Sequence, residues 1–283
     1  MSKRAYGYLV VAVAYLVAIF AGVITYALLP IEPFWVKLLL ADVLATIVVF
    51  IFSLVFKNAS VYDPYWSVQP IVITIYFAIY NGLNILGVLL LIVVLIWGIR
   101  LTLNWAYTFN GIEHQDWRYT MLNEVTDKFY PVINFLGIHL FPTIVVYSVI
   151  LPVVFAIKTA VSFNYLSLVF IALSLFAVAM QGTADCQMHL FRQNRTSNFI
   201  RVGLWKYSRH PNYLGEILMW WGVALSVVVC APSLWYLCFG ALLNTVMFLV
   251  VSIPMADKRQ SKKDGFFEYK KQTRMLLPIK KLT

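Results

Sequence analysis

The densest group of polar side chains in this sequence lies between Gln181 and Glu216, at the end of a long apolar stretch. Gln181, Asp185 and Arg192 recur at intervals close to a helical turn, which places them on one face of a helix. Asn212 and Glu216 are one turn apart at the start of the next apolar run. Because ionisable groups within a membrane helix are costly and usually line a cavity, the group predicts a binding site. A helix-capping network with solvated basic residues explains the same spacing.

A second polar group stands between two other apolar runs and contains Asp63, Tyr65 and Gln69. Aromatic residues at such a boundary are typical of an interfacial belt, but the carboxyl and the amide beside them are not. A carboxyl group that apolar surroundings keep protonated can donate to a carbonyl oxygen. We therefore rank Asp63 first and Tyr65 second as proton donors. For the isolated Asp42 and His139, an interhelical hydrogen bond is favoured over catalysis.

The elements that must position these groups are membrane helices. Of the 283 residues, 61% are hydrophobic and only 12% are charged, whereas soluble domains carry about 25% charge. A spanning helix needs about 20 mostly apolar residues, and the apolar runs predict an all-α bundle of seven to eight spans in a single domain, residues 1–283. The predicted spans are 5–29, 38–56, 67–80, 83–99, 129–157, 159–184 and a two-span hairpin, 217–256. The short 67–80 run decides between seven and eight.

The basic residues predict the orientation of the bundle. With eight spans, all of the 22 Lys and Arg except Lys37 and Lys158 fall on one side, which the positive-inside rule makes cytosolic. The termini and the segments 106–128, 182–212 and 256–283 are then cytosolic, in the endoplasmic reticulum or a bacterial inner membrane. The net charge of +10 is explained by orientation, and no nucleic-acid partner is expected.

Several familiar nucleotide and metal motifs are absent from the sequence. It contains no GxGxxG, GxxxxGK[ST], HExxH or CxxC pattern, so a soluble-type dinucleotide fold, a P-loop and a metal site are not expected. A nucleotide must then be bound by the membrane helices and their loops.

The run GLWKYSRHPNYLGE, Gly203–Glu216, is similar to the C-terminal region of the steroid 5-alpha-reductase-like membrane enzymes. Phe266-Phe267-Glu268-Tyr269, followed by Pro278, resembles the closing pattern of that family. Trp66-x-x-Gln69, Arg100 and Asp116-x-Arg118-Tyr119 give further support. Asp63-x-x-Trp66 together with Asp116-x-Arg118-Tyr119 resembles an uncharacterised branch of the family most. The steroid enzymes have Glu and Tyr where this chain has Pro70 and Trp97, so the steroid itself is not implied.

The resemblance implies an NADPH-dependent reductase with its cofactor region over 180–283 and a lipid-accessible substrate cavity. The residues that the resemblance assigns to the cofactor are Gln181, Asp185, Arg192, Asn212 and Glu216, with Arg118 and Arg201 near the adenosine phosphates. Tyr207 and Arg209, in the same basic segment, complete the set of candidate cofactor residues. Asp63, Tyr65 and Gln69 are the candidates for catalysis.

Three functions remain open on the sequence. The first is hydride reduction of a C=C bond conjugated to a carbonyl in a lipid or steroid-like substrate, by an oxidoreductase. The second is methyl transfer from S-adenosylmethionine, as in isoprenylcysteine methyltransferases, which share an Arg-His-Pro-x-Tyr-x-Gly run. The third is non-enzymatic lipid binding. In each case the expected partners are membrane lipids and a lipophilic small molecule.

Overall fold

The computed structural model describes residues 2–195 and 197–279, and the regular elements in this part of the chain are helical. The described residues form no strand, only one isolated parallel bridge between Ser208 and Arg274. The predicted all-α architecture is therefore confirmed. The helices are α1 (Lys3–Leu28), α2 (Phe34–Val55), α3 (Tyr65–Asn81), α4 (Ile85–Thr108), α5 (Trp117–Thr126), α6 (Tyr130–Ile133), α7 (Phe141–Lys158), α8 (Ser167–Gln193), α9 (Pro211–Val228), α10 (Cys238–Met247), α11 (Ile253–Gln260) and α12 (Phe266–Gln272).

Six helical stretches of the described residues are long and apolar enough to cross a membrane, so the chain is an integral membrane protein. They are α1, α2, α4, the stretch Trp117–Lys158, α8 and the stretch Pro232–Gln260. Helices α3 and α9 are shorter, with 17 and 18 residues. The count of seven to eight spans, the membrane and the cytosolic termini stay predictions.

Two helices have boundaries that differ from the predicted ones. Arg100, expected at the end of a span, lies inside α4, which continues to Thr108. The span predicted from residue 159 begins only at Ser167 and continues to Gln193. Before it, the Asn164 side chain accepts from the Leu166 backbone N–H, and the Asn164 carbonyl accepts from the Ser167 hydroxyl. These local bonds hold an apolar segment in a turn rather than a helix.

The chain divides into two compact units. The first contains the residues up to Tyr80 together with Trp97–Leu151, and the second contains Asn81–Ile96 together with the chain from Pro152 onward. The prediction of one integral membrane domain stays a prediction.

In the first unit, small residues allow α1 and α2 to pack closely. Ala14 and Ala18 of α1 and Ala45 of α2 are buried, and a Cβ on Gly22 would lie 3.3 Å from the Cβ of Ala45. Close packing of this kind is common between membrane helices. The Tyr15 hydroxyl donates to the carbonyl oxygen of Val61 at 2.8 Å, which connects α1 to the short segment that precedes α3.

In the second unit, α8 and α9 are in close contact along two glycines of α9. A Cβ on Gly222 would lie 2.2 Å from Ser174 Oγ and 2.7 Å from the carbonyl oxygen of Phe170. A Cβ on Gly215 would lie 2.8 Å from the carbonyl oxygen of Ala177. Only glycine permits this approach. It brings the side chains of Gln181 on α8 and Glu216 on α9 within hydrogen-bonding distance.

The basic segment between α8 and α9 is fixed near its C-terminal end to α8, to α12 and to the C-terminal segment. Trp205 Nε1 donates to the carbonyl oxygen of Ala184 on α8 at 3.0 Å, and the Tyr269 hydroxyl of α12 donates to the carbonyl oxygen of Trp205 at 2.5 Å. The backbone N–H of Arg209 donates to the carbonyl oxygen of Arg274 at 2.9 Å. The start of α9 is therefore positioned by contacts to α8 and to the C-terminal segment.

Candidate functional site

Glu216 is the central polar residue of the second unit. Its side chain is 4% exposed on α9, where it accepts hydrogen bonds from Gln181 Nε2 at 2.6 Å and from Trp220 Nε1 at 2.7 Å. The structure thus brings together Gln181 and Glu216, two residues of the predicted cofactor site. A buried carboxylate is tolerated only where donors surround it, and Trp220, which the sequence analysis did not consider, provides one of them.

Asn212 occupies the first turn of α9, one turn before Glu216. Its Oδ1 is buried and has no hydrogen-bond partner among the described residues. A buried amide oxygen without a donor is unfavourable by about 1–3 kcal/mol. Asn212 Oδ1 can therefore accept a hydrogen bond from a ligand N–H or O–H. Together with the carboxylate of Glu216, it gives α9 two acceptors that suit a ligand amide.

Arg209 has a structural role that the sequence analysis did not foresee. Its Nη2 is 3.0 Å from Asp257 Oδ2, and its Nη1 donates to the carbonyl oxygen of Thr273 at 2.8 Å. His210 Nε2 is 3.0 Å from Asp257 Oδ1, and Lys270 Nζ is 3.4 Å from Oδ2. Since these side chains, apart from Lys270, are buried, Asp257 compensates the guanidinium inside the protein. The assignment of Arg209 to a cofactor stays a prediction.

The other predicted cofactor residues are more accessible. Arg192, Arg201 and Tyr207 are exposed, and Asp185 is half-buried on α8. The Arg201 guanidinium lies 4.3 Å from the centroid of the Phe199 ring, and its Nη2 donates to the carbonyl oxygen of Gly265 at 3.3 Å. Exposed guanidinium groups of this kind suit charged, bidentate ligands such as phosphates.

In the first unit, Tyr65 and Gln69 of α3 meet Asp42 of α2. The Tyr65 hydroxyl donates to Asp42 Oδ1 at 3.4 Å, and Gln69 Nε2 donates to Asp42 Oδ2. All three side chains line a cavity of about 70 Å³ between α1, α2 and α3. The interhelical hydrogen bond predicted for Asp42 is confirmed, and it places Asp42 beside two residues predicted to take part in catalysis.

Asp63 lies in a different environment, just before α3. Its Oδ1 accepts from the Tyr119 hydroxyl at 2.6 Å and lies 3.9 Å from Arg118 Nη2. Burial raises the pKa of Asp63 to about 6, although Arg118 and Tyr119 act in the opposite direction. Asp63 does not appear among the described residues that line the cavity, and Arg118, expected near the cofactor, is held by Asp63 and by Asp116 at 2.7 Å.

The sequence predicts an interhelical hydrogen bond for Asp42, but it predicts neither the position of Asp42 beside Tyr65 and Gln69 nor the partners of Asp257. A signal existed for Asp42, because a lone carboxylate within an apolar span is by default a candidate for function. For Asp257 the neighbouring sequence gave no comparable signal. Among residues 2–195 and 197–279, no three His, Cys, Asp or Glu side chains are grouped to hold a metal ion.

The comparisons with known proteins cover most of the chain. An uncharacterized protein of Schizosaccharomyces pombe is 27% identical over 232 residues, which cover 72% of this chain and 67% of that protein. No solved structure matches the chain. A family described as "Protein of unknown function (DUF1295)" matches residues 49–273, a range that includes the clusters around Glu216, Asp257 and Asp63 and excludes Asp42. The chain therefore belongs to the DUF1295 family.

Proposed function

We propose that this protein is an NADPH-dependent membrane reductase that acts on a C=C bond conjugated to a carbonyl in a lipid or steroid-like substrate. The observation that carries the proposal is the buried, unpartnered Oδ1 of Asn212, one turn from the buried Glu216 on α9. The carboxamide of a nicotinamide ring carries two N–H donors, and both residues offer acceptors for them. The resemblance of Gly203–Glu216 to the steroid 5-alpha-reductase-like enzymes gives the same assignment.

The residues available in the second unit fit the rest of such a cofactor. Arg192 and Arg201 are exposed cations that can bind its phosphates, and Tyr207 is an exposed residue that follows them in the chain, four residues before the start of α9. When bound, the dihydronicotinamide would supply a hydride. Gln181 and Trp220 hold the Glu216 carboxylate in place, so its task is to orient the carboxamide.

The first unit contains a cavity that suits a lipid. Its cavity is lined mainly by aliphatic and aromatic side chains, which exclude water from a lipid. Gln69 and Tyr65 are neutral hydrogen-bonding groups in this lining, and both donate to Asp42. The Gln69 amide has a second N–H, and a neutral donor near a carbonyl stabilises the negative charge that develops on its oxygen. Because Asp63 does not line the cavity, we assign the substrate contacts to Tyr65 and Gln69 rather than to Asp63.

The proposal is tested by activity on natural lipids. Purified protein in nanodiscs, given a total lipid extract of its expression host, is expected to oxidise NADPH and to saturate one C=C bond for each NADPH consumed, as lipid mass spectrometry can count. The control is the same protein without lipid. Transfer of a labelled methyl group from S-adenosylmethionine to a lipid, with no oxidation of NADPH, would contradict the proposal and support the methyltransferase alternative.

A further inference from the structure

The cavity of the first unit has its one carboxylate and its one amide side by side, in a lining that is otherwise aliphatic and aromatic. Ala18, Ala45, Val68, Val72, Ile73 and Phe77 are among its walls, and Asp42 and Gln69 form its polar end with Tyr65. A molecule that fills it must be apolar along most of its length, with a hydrogen-bonding group at this end.

The polar end has an unsatisfied acceptor. Asp42 and Gln69 are each 5% exposed, and Gln69 uses its Nε2 to donate to Asp42 Oδ2. The other end of the amide, Oε1, is buried and has no hydrogen-bond partner among the described residues. An acceptor left in this state indicates that the hydrogen-bonding pattern is completed by a ligand or by a change in the pair itself.

The proton on Asp42 determines which end of the Gln69 amide is available. When Asp42 is ionised, Nε2 faces the carboxylate and Oε1 is available to a ligand donor such as a hydroxyl. When Asp42 is protonated, its O–H donates to Oε1 after the amide turns over, and Nε2 becomes available to a ligand acceptor such as a carbonyl. The two ends of the amide have nearly the same size, so the exchange needs no new space.

Protonation is the favourable state for an apolar ligand. An ionised carboxylate among apolar walls, with only neutral donors for partners, is costly, and a lipid that displaces water from the cavity increases this cost. We propose that Asp42 is a positioning residue which, when protonated, turns Gln69 so that the cavity binds a lipid by its carbonyl group. This inference rests on the proposed function, for which it identifies the substrate's buried end as a carbonyl.

The titratable groups around Asp42 are mostly tyrosines, which stay neutral below about pH 10. Tyr65 donates to Asp42, Tyr62 and Tyr147 are the other tyrosines near enough to interact with it electrostatically, and Tyr15 lines the cavity from α1. Three further titratable groups lie on neighbouring elements. The His139 ring centroid is 4.9 Å from that of Tyr62. Lys37 Nζ is 5.1 Å from the centroid of the Tyr26 ring, and Glu32 is also near Tyr26. A pH dependence of binding at the polar end is therefore assigned to Asp42.

The test compares a ketone with its alcohol in the absence of nucleotide. β-Ionone and β-ionol are matched apolar probes that differ only in a carbonyl against a hydroxyl. Equilibrium dialysis against protein in nanodiscs, corrected for empty nanodiscs, gives the ratio of their affinities at acidic and alkaline pH. The wild type is expected to prefer the ketone at acidic pH, and the ratio is expected to fall about tenfold as the pH rises, since one hydrogen bond changes its direction.

Two variants separate positioning from packing. In Asp42→Asn, the Tyr65 hydroxyl keeps its acceptor, and the new Nδ2 donates to Gln69 Oε1, as a protonated carboxyl does. This variant is expected to keep the ketone preference at every pH, whereas Gln69→Leu is expected to bind both probes equally. Thermal unfolding confirms that both variants fold.

A wild-type ratio that does not change with pH, or an Asp42→Asn variant that follows the wild type, would overturn the inference. Because no nucleotide is used, these results are independent of the proposed reductase activity. If the pH dependence is found and NADPH does not bind, the proposed function fails while the role of Asp42 in binding stands.

Discussion

Replacement of Asp257 by alanine is expected to destabilise the protein by about 3–5 kcal/mol, because it leaves a buried guanidinium without its counter-charge. Arg209 Nη2 is 3.0 Å from Asp257 Oδ2, and both side chains are about nine-tenths buried. The same carboxylate also accepts from His210. The loss of this carboxylate removes the polar contacts between α11 and the residues that precede α9. The measurement is thermal or denaturant unfolding in a fixed detergent.

An exposed ion pair gives the matched control. Glu268 and Lys271 lie 3.8 Å apart with side chains 60% and 59% exposed, and such pairs contribute about 0–1 kcal/mol. Glu268→Ala is therefore expected to unfold close to the wild type. A double variant, Arg209→Met with Asp257→Leu, removes both charges and is expected to recover much of the stability. Equal unfolding of Asp257→Ala and Glu268→Ala would show that the Arg209–Asp257 pair does not stabilise the fold.

The second large effect is expected on nucleotide binding. Glu216→Ala removes a charge-assisted hydrogen bond to the cofactor, worth about 1.5–3 kcal/mol, so the affinity for NADPH is expected to fall about 10- to 150-fold. Gln181 and Trp220 lose an acceptor as well. For that reason Glu216→Gln, which keeps one carbonyl oxygen, is measured beside it and is expected to bind with an intermediate affinity.

The role of Glu216 is tested by comparing the NADPH affinities of variants that are shown to be folded. Isothermal titration with NADPH is performed on the wild type, on both Glu216 variants and on Glu268→Ala, whose glutamate is exposed on α12. Glu268→Ala is expected to bind NADPH as the wild type does. If a folded Glu216→Ala protein also binds NADPH like the wild type, Glu216 does not belong to the cofactor site.

The sequence predicts the helices well because long apolar runs have few alternatives in a membrane. It groups Gln181 and Glu216 in one polar cluster, and their hydrogen bond between α8 and α9 is a finding of the structure. It does not predict where α8 begins, because the apolar side chains of residues 159–166 look the same in a turn as in a span. The turn depends on hydrogen bonds of Asn164, which no periodicity reveals.

Contacts between residues that are far apart in the sequence could not be predicted from it. Arg209 belongs to a basic segment, and its partner Asp257 lies 48 residues later, where it is followed directly by two basic residues. Asp42 is 27 residues from Gln69, and only the packing of α2 against α3 brings them together. Asp63, two residues before the predicted Tyr65 in sequence, instead contacts Tyr119.

The identity of the bound nucleotide tests the proposed reductase most directly. The measurement is calorimetric titration of the purified wild-type protein with NADPH and, separately, with S-adenosylmethionine. We predict that NADPH binds with a micromolar or lower dissociation constant and that S-adenosylmethionine does not bind. Binding of S-adenosylmethionine without binding of NADPH, or binding of neither, would contradict it.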